Sequence, residues 1–170
     1  MSKLFSRSLL VVASLALVAC ASDGDETPSS SADQSSAEFE QARIFLTSAS
    51  EAHTSSVMSR DVLADVTLDE VHFHNNSVDA MARMEWQLQV LGTCRSADGE
   101  LLDTSGAIAA VHDLRAELSA HQVGMITLVD NETAHASELN FHARQAPLFE
   151  ELEAHAESFA AVAATYECAF

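Results

Sequence analysis

Lysine, glycine, proline and cysteine are all scarce in these 170 residues: there is one lysine (Lys3), and there are five glycines, two prolines and three cysteines. With glycine this rare the chain holds no phosphate-cradling loop and no nucleophile elbow, and it has no HExxH pair either. Serine, histidine and aspartate occur only as scattered residues, which gives no sign of a catalytic triad. The cysteine spacing fits neither a Cys-based zinc motif nor a CxxCH haem attachment. Positive charge is the other shortage. Eight Lys plus Arg stand against 26 Asp plus Glu, a formal charge of −18 at pH 7. A surface of that sign repels nucleic acid and anionic lipid, which argues against nucleic-acid binding.

What is present begins with an export signal. Lys3 and Arg7 precede an apolar run from Leu9 to Val18, too short to span a bilayer. The run ends in Leu17-Val18-Ala19-Cys20. Those four residues resemble the lipobox of bacterial lipoprotein signal peptides, and the resemblance is confined to this segment. It implies that residues 1–19 are removed and that Cys20 becomes an acylated first residue, palmitate included, with a lasting hold on a membrane. Ala21 and Ser22, where an inner-membrane lipoprotein would carry a retention Asp, imply the outer membrane. Cleavage would remove two positive charges and no negative one, leaving a more acidic chain without lysine. Cys94 and Cys168 would then share an oxidising compartment, where a disulfide is expected.

Residues 20–37 combine Cys20 with "ASDGDETPSSSADQSSA", a small, polar, acidic stretch that reads as a flexible tether. Residues 38–170 suffice for one domain with its own core. Apolar residues recur there at three and four. The stripes are Phe39, Ala42, Leu46, Ala49, His53; Val71, His74, Val78, Met81, Glu85, Leu88; Val111, Leu114, Leu118, His121, Met125, Leu128; and Leu148, Leu152, His155, Phe159, Val162, Tyr166. That is the period of helices burying one face, and no comparable segment alternates as a strand would. Ser35-x-x-Glu38 and Thr67-x-x-Glu70 read as capping boxes. Arg95–Asp103 reads as a loop. A turn near Asp130–Asn131 divides the third helix from the fourth, and Pro147 would kink the latter. The competing division runs one long third helix to Pro147, which would leave Cys94 and Cys168 far apart. The predicted fold is all-α: an antiparallel four-helix bundle of two tandem helical hairpins, closed by one disulfide.

The hairpins share a motif. Glu70-Val71-His72-Phe73-His74 and Glu138-Leu139-Asn140-Phe141-His142 repeat Glu, an aliphatic residue, Phe and His in order, 68 positions apart. The same offset relates Ala52-His53 to Ala120-His121, and a cysteine closes each half. The pattern reads as a duplicated hairpin. In an antiparallel hairpin, residues equidistant from the turn face each other. His53 and His74 are equidistant from a turn near Leu63–Ala64, and His121 and His142 from one near Asn131–Glu132. All four lie on apolar stripes, so four histidines are expected at one level of the core. Glu70 and Glu138 each precede a histidine by four residues and so share its helix face. Buried imidazoles need a partner or a metal, and bundle cores hold metals with inward His and Glu. The candidate metal ligands are therefore His53, His74, His121 and His142, with Glu70 and Glu138 as ligands or as orienting groups.

Plainer readings stand beside this one. Glu70 has a role in its capping box, and a histidine on a helix stripe can simply bond to water or to a carboxylate. Glu132-x-x-His135 has the spacing of di-iron bundle proteins but no counterpart at Ala64 and Thr67. His72, His112 and His155 read as surface or rim residues, and Met58, Met81, Met84 and Met125 as core filler. Three function classes follow. The leading one is an envelope module that binds Zn, Cu, Ni or Fe for storage, buffering or sensing. The second is a b-type haem protein in which two facing histidines, such as His53 and His74 or His121 and His142, ligate the iron from both sides. The third is a structural lipoprotein, or one that meets an envelope protein partner. Binding is favoured over catalysis.

Overall fold

The computed structural model describes residues 30–59, 67–127 and 131–168. The signal segment, Cys20, most of the tether and the turns near Leu63–Ala64 and Asp130 lie outside the described residues. Four long helices dominate: α1 (Ser31–Ser59), α2 (Thr67–Leu91), α3 (Ser105–Thr127) and α4 (Asn131–Val162). The chain is all-α as expected, and α3 ends before Asp130 instead of running on to Pro147. Pro147 sits inside α4, which continues through it. No described helix is long and apolar enough to cross a membrane.

Helix α1 starts earlier than its expected capping box. The Ser30 hydroxyl accepts the Asp33 backbone N–H at 3.1 Å, so Ser30 is the cap. Ser35 and Ser36 lie buried within the helix. Glu38 turns outward, accepting from the Gln34 amide at 3.0 Å and from the side chain of Gln87. At the start of α3, Asp103 accepts from both the backbone N–H (3.0 Å) and the hydroxyl (2.7 Å) of Ser105.

Each helix packs on two others: α1 on α2 and α4, and α3 on α4 and α2. Between them lie Phe39, Leu46, Met81, Met84, Leu88, Leu114, Leu118, Phe141, Leu152 and Phe159, each at most 2% exposed. Burying side chains of this size contributes about 1.5–3 kcal/mol apiece. Phe39 and Phe159 meet edge to face at 5.7 Å, locking α1 against α4. Gly106 lets α4 approach α3, since a Cβ there would stand 2.7 Å from the His155 ring.

The buried stripe of α2 differs in phase from the expected one. Glu70, Phe73, His74, Ser77, Met81, Met84, Leu88 and Leu91 face inward, whereas Val71 and Val78 are about half exposed. Three polar residues, Glu70, His74 and Ser77, occupy this inner face. Ser77 is satisfied by donating to the Phe73 carbonyl at 2.8 Å, and Glu70 meets imidazoles. Met58 is likewise a correction, being 69% exposed where a core position was expected. The side chain of Met125 falls outside the described set.

A small antiparallel strand pair joins the expected loop at residue 95 to the segment after Val162, where Tyr166 is strand and not, as expected, the end of the fourth helix stripe. Strand β1 (Cys94–Ser96) lies against β2 (Tyr166–Cys168), with Cys94 opposite Cys168. The two cysteines form the expected disulfide, which ties the end of α2 to the end of the chain across a separation of 74. A loop of that length stabilises by up to about 4 kcal/mol through lost unfolded-state entropy. Changing both cysteines to serine is expected to lower the urea unfolding midpoint, by no more than that in free energy. An unchanged midpoint would show that the link adds nothing.

Candidate metal centre

All six candidate side chains are buried and brought together. His53 comes from α1, Glu70 and His74 from α2, His121 from α3, and Glu138 and His142 from α4. Glu70 is the hub. Its Oε1 lies 2.7 Å from His74 Nε2 and 3.3 Å from His121 Nε2, and its Oε2 lies 2.9 Å from His53 Nε2. Both oxygens thus face imidazoles, and the side chain of Thr67, its expected capping partner, lies outside the described set. Glu138 Oε1 is 3.1 Å from His121 Nε2.

The sequence repeat reappears as matching geometry. His53 stacks on Phe73 at 4.4 Å, and His121 stacks on Phe141 at 4.2 Å, each pair within 10° of parallel. In each half Nε2 of the stacked imidazole lies near a carboxylate oxygen from the next helix, 2.9 Å for His53 and Glu70 and 3.1 Å for His121 and Glu138. The shared phenylalanine of the motif therefore fixes a ring plane.

The match breaks at His142. His74 reaches Glu70, whereas His142 Nε2 lies 2.8 Å from His53 Nδ1 and its Nδ1 lies 2.9 Å from the Ser50 hydroxyl. Ser50 in turn donates to Gln145 Oε1 at a long 3.5 Å. With its proton committed there, Ser50 accepts from His142 Nδ1–H, which leaves the His142 Nε2 lone pair facing His53. Neither Ser50 nor Gln145 carried a sequence signal. Their counterparts 68 positions away are Leu118 and Ser77, so the repeat could not point to them.

Short separations here are not all hydrogen bonds. His53 Nε2, His74 Nε2, Glu70 Oε2 and both Glu138 oxygens are buried without a partner in hydrogen-bond alignment. Close lone-pair atoms that do not point at one another are what a shared cation site requires. They fall into two triads, His53–Glu138–His142 and Glu70–His74–His121, with the ligand atoms of each within 4.8 Å of one another.

No basic side chain offsets these carboxylates among the described residues. Arg43 pairs with Glu40, Arg115 with Glu85 and Arg144 with Glu117, Arg83 lies over Phe45, and Arg95 donates to the Gly99 carbonyl. Protons carry the balance instead. Burial pushes the Glu70 carboxyl up, but His121, His53 and His74 outweigh it and hold the group well below the usual carboxylate range. Burial and the adjoining Glu70 raise Glu138 against the opposing pull of His121. His121 is pressed down by burial yet lifted to about 9 by Glu138 and Glu70. Burial, with His53 beside it, lowers His142 to about 4.

The remaining histidines stay outside the cluster. His135 Nε2 lies 3.0 Å from the Val57 carbonyl. His112 sits 3.6 Å from Glu85 and His155 4.0 Å from Glu151, and His72 is exposed, all in keeping with surface or rim positions. Comparison with protein-family models, curated proteins and solved structures finds no match to this chain.

A pH optimum follows for the metal-free protein. His142 stays neutral down to about 4 where an unfolded imidazole takes its proton near 6.5, so stability falls as pH drops through that window. His121 keeps its proton to about 9, so its contribution is complete below 6.5 and lost as pH rises through 9. Urea unfolding in the presence of a chelator is expected to show greatest stability near pH 6.5. Stability still rising from 6.5 to 9 would contradict that assignment.

Proposed function

We propose that this chain is a lipid-anchored protein of the bacterial envelope, binding a pair of transition-metal ions for storage, buffering or sensing. The helices are read as an antiparallel up-and-down bundle of two tandem hairpins, in keeping with each helix packing on two neighbours. One observation carries the metal reading: two adjoining buried carboxylates, ringed by four imidazoles and with no basic side chain beside them among the described residues. Removing two carboxylates from water costs several kcal/mol each unless cations compensate them. Metal ions supply that compensation where protons now do.

His53, Glu138 and His142 would hold one ion, and Glu70, His74 and His121 the other. Imidazole with carboxylate suits Zn, Cu, Ni or Fe, while Ca and Mg favour all-oxygen cages. Haem fits less well. Glu70 stands between the expected pair His53 and His74, 2.9 Å from one and 2.7 Å from the other, and His142 meets His53 at 2.8 Å instead of facing His121 across an open slot. Nothing there leaves space for a macrocycle. The anchor is Cys20, and the site of anchoring is the outer membrane, as the lipobox and Ala21-Ser22 imply. A second reading, docking of an envelope protein, draws on exposed Trp86 and Phe45 beside Arg83.

Elemental analysis and Zn titration of the full-length expressed chain in detergent test the proposal. Two equivalents are expected, with protons released at pH 7 because His121 gives up the one it holds to about 9. Changing His53, His74, His121 and His142 together to Ala is expected to abolish uptake. Mass spectrometry of the same preparation should find an acylated Cys20 at the N-terminus. Failure to take up Zn, Cu, Ni or Fe would overturn the metal reading.

A further inference from the structure

The two triads are alike in composition and unlike in surroundings. A cavity of about 750 Å³ lies between α1 and α4, and Ser50 and His142 form part of its wall. Thr47 and Thr54 from α1 and Leu139 and Phe149 from α4 line it further. A second, smaller hollow of about 320 Å³ between α1 and α2 ends on His53 and Phe73. Both hollows reach the His53–Glu138–His142 triad, and neither is lined by Glu70, His74 or His121.

The repeat explains the difference. Ser50 and Gln145 stand beside His142, whereas their counterparts beside His74 are Leu118 and Ser77. Leu118 is buried at 2% exposure, and Ser77, fully buried, spends its hydroxyl on the Phe73 carbonyl. One triad thus borders the groove between α1 and α4, while among the described residues packed side chains stand at the counterpart positions beside His74.

We infer that the metal position of His53, Glu138 and His142 binds a small uncharged ligand entering between α1 and α4, while the Glu70–His74–His121 position is closed to it. This rests on the metal reading above. Three protein donors leave at least one position open on a four-coordinate ion. Size is limited because the groove meets the centre at the edge of one buried imidazole. Charge is limited because Glu51, Glu150 and Glu153 line the groove, while its arginine, Arg43, is already paired with Glu40. Dioxygen, hydrogen peroxide and nitric oxide have the required size and neutrality. Ser50 serves as a positioning residue, holding His142 so that Nε2 faces the metal.

The test uses the full-length chain loaded with Co(II), whose d–d absorption reports its ligands, and nitric oxide as the uncharged probe under anaerobic conditions. One nitric oxide per two Co(II) is expected. Ala146→Trp narrows the groove from an exposed position. Val78→Trp places the same side chain at the counterpart site on α2, which is also exposed. Both variants should still take up two Co(II). Ala146→Trp is expected to weaken nitric oxide binding, and Val78→Trp to leave it unchanged. Ser50→Ala is expected to weaken Co(II) binding at one of the two positions by about 10–100-fold, with Ser50→Thr restoring it. Loaded protein that ignores nitric oxide, binds two, or responds equally to the two tryptophans overturns this inference and leaves the metal reading standing. Absence of Co(II) uptake overturns both.

Discussion

Two carboxylates, Glu70 and Glu138, adjoin each other in the interior, and among the described residues no arginine or lysine offsets them. Everything around them answers that constraint. Among the described residues four imidazoles supply the compensating groups, and they arrive from four helices because one helix face cannot present so many. His121, kept protonated up to about 9 by Glu138 and Glu70, places a positive charge beside both carboxylates in the metal-free centre. A buried charge pair of this kind is poor evidence for stability, since well-packed apolar residues of similar volume often do as well or better. Its presence therefore points to binding.

The core is arranged to hold the imidazoles still. Phe73 and Phe141 stack face to face on His53 and His121 and meet each other edge to face at 6.2 Å. The two stacked rings are thus joined through their phenylalanines. A disulfide closes the far end, where β1 meets β2, and so limits the separation of α2 from the chain's C-terminal segment. Rigid ring planes and a covalent closure suit a preformed site, in which ligand atoms are placed before an ion arrives.

Much of this was legible in the residues alone. Helical period placed His53, His74, His121 and His142 on inner faces, and the repeat of Glu, Phe and His marked the residues that meet. The turn before Asn131 followed from keeping the two cysteines together. Other features were hidden for physical reasons. The inner face of α2 carries Glu70 and Ser77, so a stripe drawn through apolar residues slipped onto Val71 and Val78. Helix α1 begins at a serine cap inside a serine-rich stretch, where composition alone reads as tether. The short strands owe their existence to the Cys94–Cys168 link, a long-range partner that no local pattern encodes. Ser50 and Gln145 lie where the repeat is broken, and it is that break which makes the two halves of the centre unequal.

The most direct measurement is anomalous X-ray diffraction from crystals of the protein grown with Zn(II), recorded at the zinc edge. Two anomalous peaks should appear in the core of each chain, one within bonding distance of His53, Glu138 and His142, the other of Glu70, His74 and His121. Metal-loaded crystals with zinc only at surface carboxylates, and none among the six buried side chains, would contradict a metal centre.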